Sequence, residues 1–354
     1  MIGKVWDVEC LVKTMSKRKK IAAFYPYSAR ENAYIENMIS VWGKEYKTVP
    51  YSKYGILGEN ARQCEVIILN WFESEIDYRS FLQLLLYRIS GKKIVWVFHN
   101  LIPHEAKQHW IAMVQMKCMI LISNRIILHS KFSKEYLYHY SPIALRKATY
   151  VPHINYCENY LQTDKTFREK FGFHEDDMVF MFFGLIKPYK NIELLIEIFK
   201  EWDKEKTKLL IVGKATDGKY AKMLHGMCEY NSNIILDFHY VNNSEVYTYF
   251  NTADVVVMPY HKASSMNSGA MIAAFSCGKT VIIPDIAMAR DMENVCYVYH
   301  YEAEEEHKKN LEKTLVKCYE QGREANLLLG QRAKKYVMKR NSREVVEKKI
   351  RQLC

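Results

Sequence analysis

Short β-branched and aromatic runs recur along the chain, each separated from the next by a stretch of helical periodicity, and this alternation restricts the fold more than any other feature. KIAAFYPY (20–27), a run at 46–50, EVIILNW (65–71), KKIVWVFHN (92–100), RIILHS (125–130) and ATYVPH (148–153) read as strands. MVFMFFG (178–184), KLLIVGK (208–214), NIILDFHYV (233–241), VVVMPY (255–260) and TVIIPD (280–285) repeat the pattern in the second half. Helical segments fall between them, among them 29–42, 191–202, 219–229 and 244–251. Runs this apolar are strands covered on both faces, and helices alternating with them make a parallel, doubly wound α/β sheet. A length of 354 residues suits two such domains of about 150 residues each, with a cleft between them. The chain turns polar and unpatterned between 154 and 177, so the link is expected there. The resulting layout is a Rossmann-like domain over 1–160, a second over 161–330, and a helix over 331–354 packing back on the first. In such sheets ligands sit beyond the carboxyl ends of the strands, so the loops after His99, Gly184, Gly213, Tyr240 and Tyr260 should face one cleft.

The composition is that of a globular protein, with 49% hydrophobic and 26% charged residues. A formal net charge of +11 favours an acidic substrate, an anionic membrane face or a polyanion as partner. Nucleic acid is the least favoured, because no recognition module or interleaved aromatic stripe accompanies the basic residues at 17–20 and 334–351. Nine cysteines are scattered without a CxxC pair or a zinc-like Cys/His grouping, the pattern of reduced thiols in a cytoplasmic protein. The first residues place their positive cluster after the apolar ones, which is not the order of a signal peptide. The most apolar window, MILIS at 119–123, is far short of the roughly 20 residues that cross a bilayer, so any membrane contact is expected to be peripheral.

Three loops carry residues suited to chemistry. HKASSMNSGAMIAAFSCGKTVIIPD (261–285) reads as loop, short helix and strand, with Ser265, Asn267, Ser268 and Gly269 at the helix start and Gly278 at its end. Capping side chains and free amides at such an N-terminus bind phosphate without a metal. FFGLIKPYKNIELLI (182–196) puts Gly184 at a strand end and Lys187 and Lys190 in the loop that follows, two cations suited to a diphosphate. Neither GxxxxGK[ST] nor GxGxxG occurs, so neither a P-loop nor a standard dinucleotide site is indicated. WVFHNLIPHE (96–105) ends a strand with His99 and then presents His104 and Glu105, groups able to orient a hydroxyl or take its proton. His153, in VPHINY, has a similar position.

With these segments the chain resembles the GT-B glycosyltransferases, in particular the large nucleotide-sugar superfamily and its relatives in bacterial surface-polysaccharide assembly. The resemblance is best from 179 to 285, with a second match at FHNLIPHE. FFGLIKPYKNIELLI is similar to the family's donor-diphosphate grip, FHYVNNSEVYTYFNTADVVVMPY to the segment whose backbone near Tyr240 and Val241 meets the nucleobase, and AAFSCGKTVI to its EAMACGxPVI. The family's two glutamates would stand at positions that here read Ser265 and Ala273, and the chain looks like the subset with an SGA-type loop. The resemblance implies a metal-independent enzyme that needs no cofactor and takes a UDP-sugar or GDP-sugar as donor. Its acceptor would be a saccharide or lipid-linked saccharide at the inner face of the cell membrane. His99 would sit near the donor sugar, and an inverting reaction would use His104 or Glu105 as base. Loss of both glutamates also fits a non-catalytic GT-B subunit that binds glycan or stabilises a partner transferase. A sugar-nucleotide epimerase of the same two-domain shape is the third reading.

Overall fold

The computed structural model describes residues 19–27, 32–52, 63–101, 109–262 and 265–353. In chain order the first part comprises β1 (Lys20–Tyr25), α1 (Ala33–Trp42), β2 (Tyr46–Pro50), β3 (Val66–Asn70), α2 (Tyr78–Ile89), β4 (Lys93–Phe98), α3 (His109–Ile122), β5 (Arg125–Leu128), α4 (Ser133–Tyr140) and β6 (Ala148–Tyr150). The second part comprises β7 (Met178–Phe183), α5 (Ile192–Lys200), β8 (Thr207–Val212), α6 (Gly218–Met227), β9 (Ile234–Asp237), α7 (Asn243–Thr252), β10 (Val255–Val257), α8 (Gly269–Ser276), β11 (Val281–Pro284), α9 (Ala287–Arg290), β12 (Tyr297–Tyr299), α10 (Glu304–Arg340) and α11 (Arg343–Arg351). Each part forms a six-stranded sheet, ordered β2-β1-β3-β4-β5-β6 and β12-β11-β10-β7-β8-β9. Every pairing is parallel. This is the expected GT-B architecture of two doubly wound sheets. Strand order reverses between β1 and β3 in the first sheet and between β7 and β10 in the second, and a crevice opens at such a reversal.

Burial explains why the runs become strands. All five residues of β3 and all three of β10 are buried, as central parallel strands covered by helices require. Helix starts follow capping chemistry. The Asn32 side chain accepts the Tyr34 amide at 3.1 Å, and Asp77 and Ser80 form a reciprocal capping box with bonds of 2.8 and 2.9 Å. The first helix therefore begins at Ala33 rather than at 29. The run at 255–260 yields only a three-residue strand: the Met258 amide still bonds the Ile282 carbonyl, but Pro259 has no N–H with which to continue the ladder.

Three elements escape the patterning, α4, α9 and β12. In α4 only Ser133 and Leu137 are buried, which leaves almost no periodic signal. The last helices return to the first sheet's outer layer. After a break at Gly322 (φ 77°), α10 runs on to α11, where Arg343 reaches Ser40 and Asn37 on α1 and Arg351 pairs with Glu45. Among the described residues no helix is long and apolar enough to cross a membrane.

Candidate functional site

At the switch point of the second sheet the chain leaves β7 through Gly184 (φ 143°) and enters a single 3-10 turn, Pro188–Lys190. The Lys190 amide bonds the Lys187 carbonyl at 2.9 Å, and Asn191 takes a left-handed conformation (φ 53°) to launch α5. This folding-back directs the Lys190 side chain into the cleft. Its ammonium lies 3.5 Å from the centroid of the Tyr260 ring and 4.9 Å from that of Tyr189, a cation held by aromatic faces. Burial pulls its pKa below that of an exposed lysine, against the opposing pull of Tyr189. No carboxylate among the described residues pairs with it.

The start of α8 faces the same space. Ser268 is the N-cap, its hydroxyl accepting the Met271 amide at 3.2 Å and lying 3.3 Å from the Tyr260 hydroxyl. Its own amide points at the Met288 sulfur at 3.5 Å, and the Ser265 amide bonds the Lys262 carbonyl. The amides of Gly269 and Ala270, by contrast, have no acceptor among the described residues. Ala270 comes so close to Gly184 that a side chain there would stand 3.9 Å from its Cβ. Two open amides at a helix N-terminus, beside a half-buried ammonium with no carboxylate partner among the described residues, are suited to holding an anion.

Opposite stands an aromatic and imidazole cluster from the first sheet. The strand register sets Phe98 beside Leu128 and Leu128 beside Tyr150, so His99 and His129 leave adjacent strand ends, joined by His153 just beyond β6. His99 stacks on Trp71 with ring centroids 4.3 Å apart, and its Nε2 lies 3.1 Å from the Asn70 side-chain oxygen. His129 Nδ1 donates to the Val151 carbonyl at 2.8 Å, which leaves Nε2 to accept the Tyr34 hydroxyl at 2.8 Å. His153 Nδ1 donates to the Ile154 carbonyl at 2.9 Å, so its Nε2 lone pair faces Gly269.

Burial holds His129 at a pKa of about 4 and His153 at about 3, and lowers His99 well below the usual range. All three rings are therefore neutral near pH 7. An unfolded histidine titrates near 6.5, so the unfolded chain takes up protons that the folded cluster refuses. The cluster's contribution to stability is complete above about pH 6.5 and is lost as pH falls toward the folded-state values. Urea denaturation stepped from pH 7 to pH 4.5 is expected to show a steep fall in stability. The His153→Gln variant should be less steep by up to about 1.4 kcal/mol per pH unit, one proton's worth.

Between the two halves lie adjoining cavities of about 380 and 290 Å³. The first is lined by His99, Asn100, His153, Tyr34 and Trp71 on one side and by Lys190, Ser265, Asn267, Ser268 and Gly269 on the other. The second continues past Lys190 and Gly269 to Gly184, Tyr240, Val241 and Ala273. Gly213 lines neither cavity; it packs against Gly184. Lys187 also lines neither. His104 and Glu105 lie outside the described residues. Asn267 does not cap α8; its side-chain amide crosses to the carbonyls of Phe98 and His99 at 3.3 and 3.2 Å and ties the two halves together. Ser265 and Ala273 both face the cavities, whose described lining contains no carboxylate. Tyr34, Trp71 and His129 were not singled out by the sequence. The signal that could have found His129 is its place one residue past a strand end, shared with His99.

Residues 163–336 match the family described as glycosyl transferases group 1. That segment is just under half of the chain, and the two-sheet fold around it is the GT-B fold. The chain is 23% identical over 230 residues to a GDP-mannose:glycolipid 4-beta-D-mannosyltransferase of Xanthomonas campestris pv. campestris, a match covering 63% of this chain and 60% of that one. The chain thus spans about 60% of the length of the curated relatives it matches. Among solved structures, Anabaena HepE in complex with UDP superposes with a TM-score of 0.73 at 12% identity, covering 95% of this chain and 99% of that one. Sucrose-phosphate synthase of Thermosynechococcus elongatus gives 0.74 at 13% identity, covering 95% and 98%. At these identities the likeness is one of fold.

Proposed function

We propose that this GT-B protein transfers a sugar from a nucleoside-diphosphate sugar to a lipid-linked or polysaccharide acceptor in the assembly of a bacterial surface glycan. The observation that carries the reading is the Lys190 ammonium, without a carboxylate partner among the described residues, beside the open amides of Gly269 and Ala270 in a cavity shared by both sheets. When the glycosidic bond to the donor breaks, negative charge grows on the departing diphosphate. Preorganised amides and an ammonium stabilise that charge without moving, and without a metal at the diphosphate. Tyr240 and Val241, at the far end of the smaller cavity, would meet the nucleobase, and His99, stacked on Trp71, would position the sugar. The acceptor hydroxyl would enter from the first domain, with His104 or Glu105 taking its proton. The relative acting on GDP-mannose and a glycolipid supports a GDP-sugar and a lipid-linked acceptor, whereas the UDP held by HepE keeps a UDP-sugar in play.

The test is calorimetric titration of the chelator-treated protein with UDP and GDP, followed by a donor-sugar assay with lipid-linked saccharides. Micromolar binding of one diphosphate and sugar transfer are expected. Absence of both would favour the non-catalytic reading, which the lack of a carboxylate among the described lining residues and the replacements at Ser265 and Ala273 support.

A lipid-linked acceptor requires the protein to reach a membrane, and an outer face of the first domain is suited to that. Tyr78, Leu82, Leu86 and Ile89 on α2 are 53–75% exposed, and Trp110, Val114 and Leu121 on α3 are 51–65% exposed. Arg79, Arg88 and Lys117 stand among them, and the Arg88 guanidinium bonds the Leu121 carbonyl. Apolar side chains interleaved with cations suit the interface of an anionic bilayer. The double variant Leu82→Glu, Leu86→Glu is expected to reduce co-sedimentation with anionic vesicles by at least about tenfold, since each leucine buried in lipid is worth roughly 1.5–3 kcal/mol. UDP and GDP binding should be unchanged; vesicle binding equal to that of the unaltered protein would remove this face from the proposal.

A further inference from the structure

Behind the turn that carries Lys190, three metal-ligating side chains converge that the donor site does not use. His261 follows the loop after β10, while Glu304 and His307 stand one turn apart on α10, an E-x-x-H pair on a single face. His261 Nδ1 is 3.2 Å from one oxygen of Glu304, and His307 Nδ1 is 3.6 Å from the other. All the donor atoms lie within 4.8 Å of one another. Ligands at about 2.0–2.1 Å from a tetrahedral zinc are spaced about 3.3–3.4 Å apart, so both measured separations are near those of bound ligands. Two imidazoles and a carboxylate are a set that zinc accepts, with a fourth position left for water.

The surroundings fix the tautomer this requires. His307 Nε2 lies 2.9 Å from the Tyr299 hydroxyl, and the Asn191 side-chain amide approaches Nδ1 at 3.4 Å. With the Asn191 amide as donor, Nδ1 holds a lone pair that faces the Glu304 carboxylate across 3.6 Å, and a cation bound there would replace the long amide contact. A shared cation resolves that opposition. The ring is buried and stacks on Tyr301 at 4.0 Å, which holds it in place as a ligand. Tyr299 would act as the outer partner that orients it.

We propose that His261, Glu304 and His307 form a structural site for a divalent first-row cation, zinc being the best match. The site joins the end of the β10 loop to the start of α10 at the base of the 188–190 turn. The His261 amide bonds the Tyr189 carbonyl, so an ion held by the His261 side chain stiffens the backbone that presents Lys190. It is separate from the diphosphate site and takes no part in bond breaking.

Full-length protein stripped with a chelator and titrated with Zn²⁺ against a chromophoric competitor is expected to bind one ion per chain and to gain thermal stability on loading. Glu304→Gln and His261→Ala alter side chains outside the core and should each weaken zinc binding by at least about tenfold, abolishing that gain. Tyr299→Phe should weaken it about 10- to 100-fold, as loss of an outer partner does. Zinc binding that is absent in the unaltered protein, or equally tight in both Glu304→Gln and His261→Ala, overturns the proposal, the latter because other groups such as the cysteines would then be the ligands. The readout is metal content, so it stands or falls independently of nucleotide binding.

Discussion

Replacing Lys190 with alanine is expected to lower sugar transfer by about 10²-fold or more and to weaken UDP or GDP binding by about 10- to 100-fold, the value of a hydrogen bond to a charged partner. The reasoning is electrostatic. The ammonium is half-buried over the Tyr260 ring, eased by that face and by Tyr189 but by no carboxylate among the described residues, so its desolvation is only partly offset until an anion arrives. A diphosphate supplies the missing charge and meets the Gly269 and Ala270 amides at the same time. Transfer should suffer more than binding because charge on the leaving group is greatest in the transition state. Calorimetry and initial rates on the two proteins decide the matter. Lys187→Ala is the control: outside both cavities, it should change affinity by less than about threefold. Unaltered UDP and GDP binding by Lys190→Ala would place the anion elsewhere.

The second large effect is on folding. Gly213 ends β8 at φ 147°, and a Cβ there would lie 1.7 Å from the Gly184 carbonyl oxygen, a backbone atom with nowhere to go. Gly213→Ala adds both the strain of that conformation and an overlap that only movement of β7 or β8 can relieve, together roughly 3–5 kcal/mol. For a domain of this size the melting temperature should drop by about 8 °C or more. The damage reaches function as well, because the atom pushed aside belongs to the residue that opens the donor loop. Differential scanning calorimetry with a parallel UDP and GDP titration would reveal both losses; a melting temperature within about 2 °C of the unaltered protein would contradict the close contact.

How much of this could be read from the sequence depends on whether a feature is local. The sheets were legible because central parallel strands are apolar throughout, and runs such as VIILN and VVV announce themselves. The anion side of the site was legible for the same reason: a strand end, a glycine and a lysine turn lie within one stretch, and so do the small polar residues before α8. The imidazole side was legible only in part: His99 and His153 stand out at strand ends, but their joining with Asn70 and His129 does not. Asn70, His99, His129 and His153 come from four strand ends, and only the register that sets Phe98, Leu128 and Tyr150 side by side brings them together. Within the lysine pair, spacing alone could not say which would enter the cleft; the 3-10 turn decides for Lys190. On α2 the apolar residues divide, Leu84 and Tyr87 facing inward and Leu82 and Leu86 outward, a split that its Leu-rich run does not mark.

The return of the C-terminal helices to the first sheet means that the polypeptide passes between the halves twice, and the two passages are stitched to each other. The Asn155 amide bonds the Asn341 carbonyl at 2.9 Å, and the Asn341 side chain bonds the His153 carbonyl at 2.7 Å. At the mouth, by contrast, Asn267 holds Phe98 and His99 through bonds of 3.2–3.3 Å. Further bonds join the halves beside it: Ser130 donates to the Ala287 carbonyl at 2.8 Å, the Lys131 amide to Asp291 at 2.8 Å, and Arg290 to Glu135 at 2.7 Å. The seam is therefore riveted along its length, and because Asn341 holds the carbonyl of His153, which lines the larger cavity, the doubled chain passage and one wall of the chamber share an anchor.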